Sequence, residues 1–434
     1  MAVKFARLGF SASDAPDASI LSTCVHCGLC LNECPTYRVL RVEMDSPRGR
    51  IQLIDAVQDG RMALDSPAFL RHTFQCLDCR GCETACPSGV KYGALIESVR
   101  AQTVQAKLLP PRRRIAQTVL RVVFPRPRLL RLAARGLWLY QRSGLQALMR
   151  KLGLLRLIAP PLAAVETLSP PVSDRFLQAS DLRFVPAHGE RRRSVAFITG
   201  CIMSVAFAEA HRASLRVLAR NRCDVHIPEH QACCGALHVH GGDRKTARLL
   251  ARRNIDAFDS ADYEAIIINS AGCGSTLKEY GELLADDPSY AERAHAFSER
   301  VRDLSEFLAE IGAVPPTNSV NERVVYQDAC HLVHAQGVSQ QPRKLLAAVP
   351  GVDLVEMEYP TVCCGAAGLY SVTDTDISLA ILEQRLDAIE ATGAKVIVSA
   401  NPGCLLHIQS GAQRRGLEVT VMHVAEFLDR AYSA

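Results

Sequence analysis

Two hydrophobic rhythms divide the chain. From Arg193 onward, short apolar runs of strand length alternate with stretches whose apolar residues recur every three or four positions. "SVAFITGC" reads as a strand ending on Cys201 and "RKTARLLARRNIDAF" as a helix. "AIIINSAGC" reads as a strand ending on Cys273, "RVVYQDAC" on Cys330 and "KVIVSANPGC" on Cys404. This alternation predicts α/β architecture. Ahead of it the rhythm is helical. In "SPRGRIQLIDAVQDGRM", Ser46 stands as an N-cap and Pro47 at the first helical position, and Ile51, Ile54 and Val57 recur at helical spacing. "SPAFLRHTFQCL" extends the helical texture. Between the halves, basic and apolar residues alternate at helical spacing. There Leu129, Leu132, Leu137 and Leu139 with Trp138 predict an apolar face flanked by arginines. No uninterrupted apolar run is long enough to span a bilayer.

The α/β half repeats itself. "HQACCGALHVHGG" is answered by "YPTVCCGAAGLY". The offsets are 129 residues from Cys201 to Cys330, 130 from Cys233 to Cys363 and 131 from Cys273 to Cys404. So steady an offset predicts a tandem duplication. Each copy collects four cysteines at the edge beyond the carboxyl ends of its strands, where open α/β sheets bind ligands. The sets are Cys201, Cys233, Cys234 and Cys273, then Cys330, Cys363, Cys364 and Cys404. Cys223, in "RNRCDVHIPEH", belongs to neither and reads as a buried strand residue.

Composition changes the picture through cysteine, of which there are 17. The opening "MAVKFARLGFSASDAPDASI" has no hydrophobic signal stretch, so a reducing, cytoplasmic setting is expected, with cysteines as metal ligands or redox groups. "CVHCGLCLNECP" and "CLDCRGCETACP" share the spacing C-x2-C-x2-C-x3-C-P, the bacterial ferredoxin run for 4Fe-4S clusters. Three thiolates two residues apart wrap one cubane, and the fourth points away to the other cluster. Cys24, Cys27, Cys30 and Cys86 are therefore expected on one cluster, and Cys76, Cys79, Cys82 and Cys34 on the other. Gly28 and Gly81 let the backbone approach the sulfides, and Pro35 and Pro87 end the loops. Zinc takes two C-x2-C pairs across a longer loop, which this spacing fits poorly. Arg48 and Arg50 read equally as tuning or docking residues and as the solvated start of a helix.

The formal charge of +5 is unevenly spread. Residues 98–165 hold 14 Lys or Arg and no Asp or Glu, leaving the remainder at −9. Such a basic stripe suits an anionic lipid surface, with Trp138 at the interface, or an acidic partner protein. No zinc-finger or RNA-binding signature accompanies it, so nucleic acid is not an expected partner.

"SPRGRI", "CCGALHVHGG", "NSAGCGSTLKEYG", "DACHLVHAQGV", "CCGAAGLY" and "NPGC" together resemble the iron–sulfur subunits of glycolate oxidase (glycolate dehydrogenase) over nearly the whole chain. Lactate-utilisation proteins, the iron–sulfur subunit of anaerobic glycerol-3-phosphate dehydrogenase and the catalytic subunit of heterodisulfide reductase share the layout more distantly. The resemblance implies a multidomain fold: an α-helical ferredoxin-like domain with two 4Fe-4S clusters, and two tandem Rossmann-like α/β CCG domains. The expected boundaries are 1–105 for the helical domain, 106–190 for the basic linker, and 191–315 and 316–434 for the CCG domains. It implies a subunit that passes single electrons from an FAD-containing partner to a quinone, at the inner face of the cytoplasmic membrane. The chain shows no Gly-rich dinucleotide fingerprint and no candidate substrate base, so FAD and the catalytic residues are expected in the partner alone.

The chain departs from that pattern at the end of each module. Heterodisulfide reductase closes each with C-x-x-C; Thr276 and His407 stand there instead. Threonine is a poor iron ligand, which counts against a cluster in the first module. Imidazole does ligate iron, so Cys330, Cys363, Cys364, Cys404 and His407 offer a third metal or cluster site. Packing, or a thiol-lined quinone pocket served by His331 and His334, are the alternatives there. A disulfide or quinone reductase acting at these modules, a lactate or glycerol-3-phosphate dehydrogenase subunit, and an assembly platform are the competing functions.

Overall fold

Helices joined by turns build the amino-terminal part of the computed structural model, which describes residues 9–154, 166, 169, 171–177, 179–259 and 263–432. The helix Pro47–Gln58 begins as its sequence dictates. Ser46 Oγ accepts the Gly49 N–H at 3.0 Å, and Pro47 fills the first turn, where its missing N–H costs nothing. Ile51, Ile54 and Val57 are buried against Phe69 of Pro67–Phe74 and Leu95, Ile96 and Val99 of Tyr92–Gln105. Cys76 and Cys82 lie in this same core.

The basic segment forms helices Pro111–Val123, Pro127–Arg142 and Leu145–Lys151; its residues 155–165 lie outside the described ones. Its apolar face differs from the expected one. Leu132 and Leu139, seven residues apart and so on one side of the helix, are 67% and 61% exposed. Trp138 sits about 100° round from Leu139, and its Nε1 donates to Asp174 Oδ1 at 2.9 Å. The indole therefore faces its own chain. Leu129 and Leu137 are half-buried, and Leu130 and Ala134 anchor the helix. Ile115, Val119 and Val122 add exposed apolar surface on the preceding helix.

Two sheets follow. The first comprises β1 (Phe184–Val185), β2 (Arg193–Phe197), β3 (Cys223–His226), β4 (Ala265–Ile268) and β5 (Val301–Asp303), in the order β1-β3-β2-β4-β5. All its pairs are parallel except the edge strand β1 against β3. The second comprises β6 (Arg323–Tyr326), β7 (Asp353–Val355), β8 (Val396–Ser399) and β9 (Thr420–His423), all parallel, in the order β7-β6-β8-β9. Apart from β1 the two orders are one topology used twice. In each, the connection reverses between the two central strands, where doubly wound sheets open a crevice at their carboxyl ends. Cys223 opens β3 and is fully buried.

The strands stop sooner than expected. β2 ends at Phe197, four residues before Cys201, and β4 ends at Ile268, five before Cys273. Cys201 instead caps the helix Ile202–Ala206, Cys273 lies in Ala271–Lys278, Cys330 opens Cys330–Gln336 and Cys404 lies in Pro402–Arg415. A cysteine in the first turn of a helix meets free N–H groups and the positive end of the dipole, which favour a thiolate.

The two modules pack as a pair. The helix Ala208–Arg220 lies on Val424–Tyr432 over a shared core. His423 Nε2 reaches Asn269 O at 2.7 Å, and Ala271 N–H donates to Ala400 O at 3.1 Å. The helices carrying Cys273 and Cys330 touch, so the two cysteine rims face one another. Among the described residues no helix is long and apolar enough to cross a membrane.

Candidate functional site

Cys34, Cys76, Cys79 and Cys82 line one small cavity, with Pro35, Pro47 and Tyr92 around them. The first motif thus reaches across to the second. Burial pushes the Cys82 thiol well up, and the neighbouring Cys79, Cys76 and Cys34 push it further. Four converging thiols raise one another in this way unless a cation takes up their charge, and the chemistry of the set fits an iron–sulfur cluster. Arg50 stands beside it. The side chain is 1% exposed, donates from Nε to His72 O at 2.7 Å and from Nη1 to Thr36 Oγ1 at 3.2 Å, and pairs with Asp45 at 3.4 Å. Its charge acts on both Cys34 and Cys76. The solvated-helix reading of Arg50 is therefore wrong: partners from two other segments bury it.

Cys24, Cys30 and Cys86 pack on the same helical core, and Cys27 is exposed. Burial pushes the Cys30 thiol up to about 11, with Cys34 and Cys24 adding to the rise. Gly28 carries φ +86, and a Cβ there would come 2.6 Å from Arg48 Nη1. Arg48 spans the loop, donating to His26 O at 3.2 Å and pairing with Glu43 at 2.7 Å. Gly81 serves differently. Its φ is ordinary, but a Cβ would stand 3.3 Å from Glu33 O, so it lets the two motifs close together.

Each module brings its four cysteines together. In the first, Cys201 Sγ lies 3.3 Å from Cys233 Sγ, and the neighbouring Cys233 and Cys273 push the Cys234 thiol well up. In the second, Cys330 lies 4.0 Å from Cys363 and Cys364 lies 3.2 Å from Cys404. Gly235 and Gly365, at φ +87 and +94, turn the two Cys-Cys-Gly loops; a Cβ at Gly365 would strike Ser378 O at 2.6 Å. At the departing positions the modules differ. Thr276 is buried with its hydroxyl unpartnered. His407 is buried near Cys364, and its Nε2 meets Ser378 Oγ at 3.2 Å. Burial holds His407 below its ordinary pKa, the thiol of Cys364 opposing. His331 Nδ1 lies 3.6 Å from Cys330 Sγ. His334 is a tie: one nitrogen meets Thr84 Oγ1 at 2.8 Å and the other Thr361 O at 3.0 Å, joining the helical domain to the second module.

The helical domain also meets the second module at the cysteines themselves. Cys79 and Cys330 pack in one small apolar cluster with Leu77, Cys363 and Tyr370. The Cys79 thiol is raised by burial first and by Cys330 next. A buried ionic network, which the sequence did not announce, lies on the other side. His240 Nδ1 is 3.2 Å from Asp78 Oδ2 and 3.0 Å from Glu97 Oε1, and Arg80 pairs with Glu97 at 3.3 Å and with Glu279. Burial opposes the charge on His240, but its pairing with Asp78 and Glu97 prevails and raises it to about 10. Asp78, Glu97 and His240 have the reach of a metal triad, yet Arg80 and Arg100 already flank the carboxylates with positive charge. The one hint in sequence was Glu97 and Arg100 amid the apolar run of Leu95, Ile96 and Val99.

Known proteins match this layout along its length. Residues 20–90 match the family described as 4Fe-4S dicluster domain. Residues 111–169 match the linker region of the glycolate oxidase iron-sulfur subunit, and residues 195–278 and 324–409 each match the cysteine-rich domain, CCG. The chain is 41% identical over 418 residues to the probable glycolate oxidase iron-sulfur subunit of Bacillus subtilis (strain 168), covering 95% of this chain and 94% of that one. It is 33% identical over 417 residues to the glycolate oxidase iron-sulfur subunit of Escherichia coli (strain K12), with the same coverage. Lactate utilization protein A of Halalkalibacterium halodurans is 34% identical over 234 residues, 54% of this chain and 95% of that one.

Proposed function

This chain belongs to the family of glycolate oxidase iron–sulfur subunits, and we propose that it carries single electrons from a reduced FAD-containing partner to a quinone. The observation that supports this most directly is the cavity shared by Cys34, Cys76, Cys79 and Cys82. It draws one cysteine from the first motif into the second, the interlock expected of a two-cluster electron wire. In this reading Cys24, Cys27, Cys30 and Cys86 hold one 4Fe-4S cluster, and Cys34, Cys76, Cys79 and Cys82 the other. Bound clusters supply one-electron chemistry. The chain's own residues set the field around them: Arg50 beside Cys34 and Cys76, Arg48 across the first loop, and burial around both. Cys330, Cys363, Cys364 and Cys404 form a third candidate site, with His407 beside it.

The division of labour follows from what this chain contains. A hydride acceptor and a substrate base belong to the flavoprotein, with glycolate as its substrate. The fit of the lactate-utilisation relatives to about half the chain favours glycolate over lactate. In the assembled complex, Cys79→Ser should stop electron flow from glycolate to quinone while glycolate still bleaches the flavin. Loss of flavin bleaching in a variant complex that still assembles would overturn the proposal.

A further inference from the structure

A cavity of about 580 Å³ opens between the helical domain and the second module. We propose that it binds the ring of a quinone, the electron acceptor; the inference rests on the electron-transfer reading above and gives it a place. Pro35, next to Cys34, forms one wall, and Cys363 forms part of another. The cavity therefore touches the neighbourhood of the second ferredoxin motif and of the second module's thiols at once. Val362 and Ile381 supply apolar surface for a flat ring.

Its charge is unusual. Arg385 is 4% exposed and lines the cavity. It donates to Met357 Sδ at 2.9 Å and to the carbonyl oxygens of Tyr359 and Val362, yet its Nε has no partner. Among the described residues no carboxylate pairs with Arg385, Arg38 or Arg41, all three of which line the cavity; of the three lining carboxylates Glu356 and Asp387 are engaged by Arg343 and Arg415, which leaves Glu358 as the one without an ion pair and three arginines against it. Arg38 stands over the Tyr359 ring at 4.3 Å, closing part of the rim. Asp328 and the thiols of Cys363, Cys364 and Cys404 act on the Arg385 charge without touching it, so the buried guanidinium keeps a free donor and no contact ion pair, and marks a place where negative charge is to be received. The first module has no equivalent. The position 131 residues earlier, the offset of Cys273 to Cys404, is Asn254, whose neutral amide bonds the same loop through Ala232 N and Cys233 O.

Quinone chemistry meets these features. The ring needs an apolar slot of this size. Its carbonyl oxygens gain negative charge as it is reduced, and fixed cationic donors stabilise that charge. The quinone takes up two electrons, delivered singly from the reduced flavin of the partner through this chain, and two protons from water at the cavity mouth. A two-carbon hydroxy acid would leave most of the volume empty.

The test uses the full chain, anaerobically reconstituted, and 2-heptyl-4-hydroxyquinoline N-oxide, a fluorescent quinone analogue. Wild type should quench it saturably at one site. Gln384→Trp, an exposed lining residue turned into a plug, and Arg38→Gln should each weaken binding roughly tenfold or more, with circular dichroism and cluster resonance signals unchanged. Oxidation of the dithionite-reduced chain by a short-tailed ubiquinone should lose its saturation in the same variants. Absence of saturable binding by wild type, or undiminished binding by Gln384→Trp, overturns the site. The electron-transfer reading is tested apart from it, by whether glycolate reduces the clusters in the assembled complex.

Discussion

His240 of the first module lies 3.2 Å from Asp78, a residue between two cysteines of the second ferredoxin motif. The loop that shapes the Cys34–Cys76–Cys79–Cys82 cavity is thereby pinned by charge to another domain. Asp78 is 2% exposed, and Arg100 stands 3.7 Å from the same carboxylate oxygen that His240 approaches. Asp78→Asn leaves two buried cations facing a neutral amide, at a cost of about 3 kcal/mol or more. The thermal midpoint of the full chain should fall accordingly. His240→Asn added to Asp78→Asn should cost much less than the two changes summed, because both act in one network. Strict additivity would show that the contact carries no coupling.

The crossing of motifs gives a second expectation. The reconstituted chain should hold about eight irons from the ferredoxin motifs. Cys34→Ser should disturb the spectrum of the cluster that Cys79→Ser also disturbs, and Cys86→Ser that of the other. Paramagnetic resonance of the reduced variants distinguishes the two. If Cys34→Ser and Cys27→Ser altered the same signal, the motifs would bind separately and the interlock would fail. An iron content well above eight that falls in Cys363→Ser would establish the third site.

What was legible in the sequence was local. Spacing alone put Cys34 with Cys76, Cys79 and Cys82, and those four line one cavity. Ser46 and Pro47 announced their helix, and the constant offset announced two like sheets. What failed depended on distant partners. Arg50 reads equally as a tuning residue and as the solvated start of a helix; only its contacts with Thr36 and His72, far off in the chain, decide between them. Strand ends were overrun because the residues after Phe197 and Ile268 stay apolar or small while the chain already turns toward a helix. Arg385 and His240 were overlooked for the same reason. A single charge in a helix or a turn declares itself only when other domains close over it.

Two buried histidines set an acid limit. Burial holds His211 and His423 down to about 4 each, against the hydrogen bonds they donate to Thr199 O and Asn269 O, which partly offset it. Unfolded, each titrates near 6.5. Below that the unfolded chain binds the extra protons, so stability is full above pH 6.5 and is lost as pH falls toward 4. At pH 5.5 the loss should be about 1 kcal/mol per histidine. Urea midpoints at pH 7.5 and 5.5 should therefore differ in wild type, and differ much less in the His211→Gln/His423→Gln double variant. An equal pH slope in that variant would place the acid sensitivity elsewhere.

The last expectation concerns the basic segment. Arg126, Arg128, Arg131 and Arg135 have no carboxylate partner among the described residues, unlike Arg113, Arg121 and Arg142, which pair with Asp374, Asp243 and Asp174. Leu132 and Leu139 are exposed among them. Unpaired cations around exposed leucines suit an anionic bilayer surface, where each basic residue contributes about 1 kcal/mol. Replacing the four arginines by glutamine should remove roughly 4 kcal/mol of attraction and shift the chain into the soluble fraction, as high salt does by screening the same charges. The leucines remain, so some binding should persist, and adding Leu132→Ser and Leu139→Ser should abolish it. Flotation with vesicles containing anionic lipid measures this directly. Suppose the quadruple variant floats like wild type but no longer holds the flavoprotein. The surface would then be a subunit interface, and the lipid assignment would be withdrawn.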